Sequence, residues 1–76
     1  MYKKVDSELL QIGNNVREYR KQKHYTQEKL AELLDVSVAT VSRIENGSSA
    51  MAILILMNIS KILEQPIDNI ISLEKD

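Results

Sequence analysis

From Val5 to Leu63 the apolar residues recur at intervals of three and four, and no stretch sustains the alternation that a half-buried strand requires. The chain is therefore restricted to an all-helical fold. Val5, Leu9, Ile12, Val16 and Tyr19 mark one helix face, and Asp6 or Ser7 can cap its start, so the first helix is predicted from about Ser7 to Lys23. His24 follows as the left-handed residue that ends it, since His tolerates positive φ better than most side chains. Thr26 caps a second helix, Gln27 to Leu34, with Leu30, Ala31, Leu33 and Leu34 facing inward. Asp35 and Val36 make a short turn, and Ser37 caps a third helix through Asn46 with Val41 and Ile44 as its buried pair. Asn46-Gly47 stops that helix. The loop Ser48 to Ala50 leads to a fourth helix, about Met51 to Leu63, and Pro66 opens a short fifth at its favoured first turn. With no repeat, low-complexity stretch or linker, residues 1–76 read as one compact bundle of five short helices.

A chain of 76 residues buries only a modest core, so self-association is a natural source of further stability. There is no cysteine, which excludes disulfides and thiolate zinc sites and suits a reducing compartment. The N-terminus carries no apolar signal stretch, and the most apolar run, Ala50 to Met57, is far short of the roughly 20 residues that span a bilayer. A soluble, cytoplasmic protein is expected. The formal net charge is -1, against the basic balance usual for nucleic-acid binding, but its distribution is uneven. Arg17, Arg20, Lys21, Lys23 and Lys29 face only Glu18 and Glu28 in sequence, whereas the tail carries Glu64, Asp68, Glu74 and Asp76 against Lys75. One end suits phosphate and the other water, although a solvated mixed-charge surface explains the same counts.

Two short capped helices joined by a tight turn make a helix-turn-helix, in which the second helix enters the major groove and the first braces the backbone. Such pairs also occur in bundles unconnected with DNA, so the residues must decide. The stretch from Tyr25 to Gly47 carries Thr26-Gln27-Glu28 at a helix start, Leu30-Ala31 in the brace helix, Val36-Ser37 before the next helix and Ile44-Glu45-Asn46-Gly47 at its end. In this register the segment, about 26 to 46, closely resembles the helix-turn-helix of the lambdoid phage repressors, the Cro and Xre type of transcriptional regulator. The likeness extends from Ile12 to Ile71, with Arg17 and Arg20 upstream and Ile59, Leu63 and Ile67-Asp68 downstream. It implies a lambda-repressor-like DNA-binding domain.

The resemblance also implies roles. Val38, Ala39 and Arg43 match the positions that reach base edges. Arg43 can bond guanine O6 and N7 bidentately, while Val38 and Ala39 can pack only on thymine methyls. An exposed helical arginine paired with a neighbouring acid is the plainer reading of Arg43. Gln27 stands at a helix N-terminus, where free N–H groups and the dipole favour phosphate. Ser37 and Thr40 match phosphate-facing hydroxyls, and Asn46 a backbone contact, though helix capping accounts for Ser37 and Asn46 equally well. Arg17, Lys21 and Lys29 are further phosphate candidates, with plain solvation as the alternative. Arg20 and Glu45 match an ion pair that ties the first helix to the end of the recognition helix. His24 and Asp35 depart from the family, which commonly has Gly at both places.

No nucleophile motif, phosphate-cradling glycine loop or metal-ligand spacing is present, so no catalytic residue, metal, cofactor or small-molecule ligand is expected. One recognition helix reads too few bases to select a genomic site, so the expected partners are double-stranded DNA with a palindromic operator and a second copy of the chain. On the fourth helix Ile53, Leu56, Met57, Ile59 and Leu63 read as the core stripe, which leaves Leu54, Ile55 and Ile62 for a homodimer interface or for cover by the Tyr2–Leu10 or Ile70–Leu73 segments. The expected function is a sequence-specific repressor. The other reading is an antitoxin-like or immunity-regulating interaction module on the same fold, drawn from that surplus apolar surface.

Overall fold

The computed structural model describes residues 2–74, with side chains from residue 7 onward. It contains α1 (Tyr2–Gln22), α2 (Gln27–Leu34), α3 (Val38–Glu45), α4 (Ile53–Leu63) and α5 (Ile67–Ile70), and no strand among the described residues. α1 runs past the expected start, so Ser7 is interior; nothing between Tyr2 and Ser7 breaks a helix, and a residue that favours capping does not by itself end one. Val5, expected in the core, and Asp6, expected as a cap, lie outside the described side chains. α4 begins two residues later than expected. Met51 packs against the core and Ala52 is extended at φ -66°, ψ 152°, with no side chain to cap the helix.

The turns follow their residue types. Thr26 accepts the Lys29 N–H at 2.9 Å and Ser37 accepts the Thr40 N–H at 3.1 Å, each satisfying a donor that the first turn of a helix leaves free. His24, Asp35 and Glu64 end α1, α2 and α4 in the left-handed region at φ 63°, 59° and 56°. Replacing His24 by glycine removes about 1–2 kcal/mol of left-handed cost. It returns about 0.4–1 kcal/mol of freedom to the unfolded chain. A net gain of about 1 kcal/mol is therefore expected for His24→Gly, read as a higher urea midpoint; a lower midpoint would mean that the imidazole makes a compensating contact. Lys23 Nζ meets Glu64 Oε1 at 2.7 Å across two of these turns. The hydrogen bond and charge of Lys23 hold the Glu64 carboxyl below its ordinary range, so this contribution is present at neutral pH and lost as acid protonates the folded state.

Val16, Leu30, Ala31, Leu34, Val41, Ile44, Ile59, Leu63 and Ile70 form the core, and all five helices reach it or pack beside it. Leu33, expected inside, is exposed because the buried arc of α2 is Leu30, Ala31 and Leu34. α4 is rotated relative to the expectation. Its inward arc is Ile55, Leu56, Ile59, Ile62 and Leu63, centred on the fully buried Ile59, and α1, α2 and α5 pack against this helix. Ile53 at 73% and Met57 at 41% exposure are therefore surface residues, and of the three interface candidates only Leu54, at 68%, lies outside, while Ile55 and Ile62 pack against the core. The outer arc is Ile53, Leu54 and Met57, giving way to exposed Asn58 and Lys61. The C-terminal segment does not swing free. Asn15 on α1 donates to the Ile70 and Ser72 backbone carbonyls at 2.9 and 2.7 Å, and Gln11 Nε2 donates to Asn15 Oδ1 at 3.0 Å.

Candidate nucleic-acid interface

α2 and α3 are separated by the turn Asp35–Ser37, whose left-handed Asp35 returns its N–H to Glu32 while Val36 N–H returns to Ala31. This turns the chain sharply without a glycine. α3 then buries Val41, Ile44 and Glu45 and turns Val38, Ala39 and Arg43 outward. Ser37 and Asn46 flank that exposed face, with Thr40 and Ser42 half-buried. Ser37 Oγ and Thr40 Oγ1 lie 2.9 Å apart, so two hydroxyls share one hydrogen and the other O–H proton is left to donate. Asn46 Oδ1 accepts the Ser48 N–H at 3.1 Å, and the Asn46 amide hydrogens are not used in that bond.

Beneath this face Glu45, 4% exposed, is the acceptor of a cluster that joins three helices. Arg20 donates to it from Nε at 2.6 Å and from Nη2 at 3.0 Å, and Gln27 donates from Nε2 at 3.0 Å. Arg20 Nη1 goes on to the Tyr25 carbonyl at 2.9 Å, so the turn between α1 and α2 is tied in as well. One carboxylate thus orients α1, α2 and α3. No buried side-chain polar atom is unsatisfied among the described residues. Arg17, Arg20, Gln27, Ser42, Glu45 and Asn46 line a shallow cleft whose floor is this cluster. Gln27 is thereby partly committed, because one of its two amide hydrogens serves Glu45 rather than solvent.

The basic residues divide into two groups. Lys23 pairs with Glu64, Lys29 approaches Glu32 at 3.7 Å, and Arg20 is held by Glu45, whereas Arg17, Lys21, Arg43 and Lys61 form no ion pair among the described residues. Those four are all exposed. Among the described residues no group of His, Cys, Asp and Glu could hold a metal ion, and no helix is long and apolar enough to cross a membrane.

A helix-turn-helix family model, HTH_3, matches residues 16–70, from Val16 within α1 to the end of α5. The chain belongs to the HTH_3 family. The match takes in α2, α3 and the Arg20–Glu45 pair together, and it makes the protein a transcriptional regulator of helix-turn-helix type. Among relatives, the uncharacterized HTH-type transcriptional regulator YgzD of Bacillus subtilis (strain 168) is 33% identical over 65 residues, which cover 86% of this chain and 98% of that protein. The restriction-modification controller protein C.AhdI from Aeromonas hydrophila shares the fold at a TM-score of 0.77 and 24% identity, over 82% of this chain and 94% of the other. An HTH_3 family transcriptional regulator from Vibrio cholerae superposes at a TM-score of 0.75 with 30% identity, over 86% of this chain but only 37% of its own length.

Two glycines of this HTH_3 domain position the interface: Gly13, which sequence reasoning passed over, and Gly47, which it gave only as a helix stop. Gly13 lies where α1 crosses the end of α3, and a Cβ there would meet the Ile44 and Glu45 carbonyl oxygens at 2.4 and 2.6 Å. Gly47, at φ +73°, lets the chain pass beneath α1, where a Cβ would come within 2.7 Å of Leu10 Cα. The signal for Gly13 was a lone glycine inside a helical pattern, a mark of close backbone approach. Ser42, lining the cleft, carried no such mark.

Proposed function

We propose that this chain is a sequence-specific repressor that binds double-stranded DNA in the major groove through α3, as a homodimer on a palindromic operator in the cytoplasm. The observation that carries the reading is the division of α3: its apolar and ion-paired side faces the core, and Val38, Ala39 and Arg43, which forms no ion pair among the described residues, face out. Arg43 then reads guanine bidentately, and Val38 with Ala39 packs on thymine methyls. The phosphates are held around this reader by Arg17, Lys21, the free amide hydrogens of Gln27 and Asn46, and the spare hydroxyl proton of Ser37 and Thr40. Repression needs no more than occupancy of a site that polymerase must cross.

For the dimer, Ile53, Leu54 and Met57 supply an apolar arc, and two copies joined there double the phosphate contacts of a chain whose formal net charge is -1. The same arc supports the alternative of a protein-interaction module, which differs in expecting a tight heteromeric partner that survives high salt.

Arg43→Ala is expected to lower affinity for the preferred duplex by about 1–3 kcal/mol and to leave binding to random duplex nearly unchanged, measured by titration at fixed salt. Equal losses on both duplexes would reduce Arg43 to a phosphate contact. No salt-dependent binding to any duplex by the wild type would overturn the DNA reading altogether.

A further inference from the structure

The chain has five asparagines, and Asn46 alone precedes a glycine. Asparagine before glycine is the pair most open to spontaneous deamidation, since the following backbone nitrogen is unhindered. That nitrogen attacks the side-chain carbonyl carbon, the new C–N bond forms as the amide leaves as ammonia, and water then opens the succinimide to aspartate or isoaspartate. The ring consists of Gly47 N and Asn46 C, Cα, Cβ and Cγ, so Gly47 N must eclipse Cβ about the Cα–C bond and must give up its hydrogen.

The fold opposes both requirements. At ψ 7° Gly47 N eclipses the backbone nitrogen of Asn46, not its Cβ. The Gly47 N–H is held by the Ile44 carbonyl at 3.2 Å, and Asn46 Oδ1 is held by the Ser48 N–H at 3.1 Å. Gly47 cannot relax freely, because it lies so close under α1 that a Cβ there would come within 2.7 Å of Leu10 Cα. The residue is nevertheless exposed to water, at the rim of the cleft also lined by Arg17 and Gln27.

We propose that Asn46–Gly47 is a modification site gated by the end of α3: closed, the cap prevents ring closure, and each opening of the cap exposes the chain to an irreversible change. The product is a carboxylate where an amide stood. Aspartate keeps an oxygen for Ser48 N–H but replaces the amide donor with a negative charge beside the cleft, and isoaspartate also lengthens the backbone in the turn. This consequence rests on the DNA reading above, since repulsion of phosphate is what would retire the regulator.

Two measurements separate the parts. Full-length protein is incubated at mildly alkaline pH in native buffer and in concentrated guanidinium, and peptide mass spectrometry follows conversion at each asparagine. Conversion at Asn46 is expected to be slower in native buffer by roughly tenfold or more, as protection by a locally closed segment implies, and to exceed conversion at the other four in guanidinium. Equal rates in the two buffers would overturn the gating. In the second measurement Asn46→Asp, checked for an unchanged circular dichroism spectrum, is expected to bind duplex DNA about tenfold or more weakly than wild type. If Asn46→Asp binds as wild type does, the inactivating role is wrong; if wild type itself binds no DNA, the function reading fails while the mass spectrometry still decides the gating.

Discussion

Glu45→Ala is expected to destabilise the domain by about 3–5 kcal/mol, a large share of what a chain of this size possesses. The mechanism is not the loss of an attractive pair, since a buried ion pair contributes little net stability once the desolvation of both charges is counted. It is the orphaned partner. Arg20 keeps one bond to the Tyr25 carbonyl but loses both to the carboxylate, and its side chain is only 11% exposed, too little for water to replace them. Gln27 loses its acceptor at the same time. Chemical denaturation checks this, and a double variant, Arg20→Met with Glu45→Met, should recover much of the loss because no charge is left buried. If the single variant costs less than about 1 kcal/mol, solvent reaches the cluster more freely than the burial implies.

Gly13→Ala is the second large effect, and its sign runs against helix propensity. On an open helix surface the change would stabilise by about 1 kcal/mol. At Gly13 the added methyl would sit 2.4 and 2.6 Å from two backbone oxygens at the end of α3, and backbone cannot swing aside as a side chain would. α1 and α3 must part. Overpacking of this kind costs about 1–3 kcal/mol or more, so a net loss is expected in the denaturation midpoint. Separation of the helices would also lengthen the Arg20–Glu45 contact, so Gly13→Ala and Glu45→Ala should be less than additive. A midpoint equal to wild type or above it would show that the crossing is looser than the geometry states.

How much of this was legible in the sequence depended on whether the signal was local. Thr26 and Ser37 accept the N–H groups expected of them, and His24 and Asp35 adopt the left-handed backbone, because caps and turns are decided by a residue and its next few neighbours. Glu64 takes the same conformation with no propensity to announce it; the chain there is constrained by Lys23 and by the Ser60 hydroxyl bonded to the Gln65 carbonyl. The phase of α4 was misjudged for a different reason. A helix apolar nearly all round has no polar face to orient it, so only the positions of α1, α2 and α5 around Ile59 decide that Ile55 and Ile62 turn in and Ile53 and Met57 turn out. Arg20 with Glu45 was read from family likeness, since 25 residues of separation give periodicity nothing to work on. The share of Gln27 in that cluster was missed, being visible only once α2 and α3 are set side by side.

Base reading by α3 from two copies at once, as proposed, is tested most directly by selection of bound sequences from a random duplex pool. The expected result is a palindromic enriched site, its half-sites about one helical turn, roughly 34 Å, apart, each holding a guanine whose enrichment disappears with Arg43→Ala while flanking thymines persist. An unenriched pool, or a site unchanged by Arg43→Ala, would contradict it.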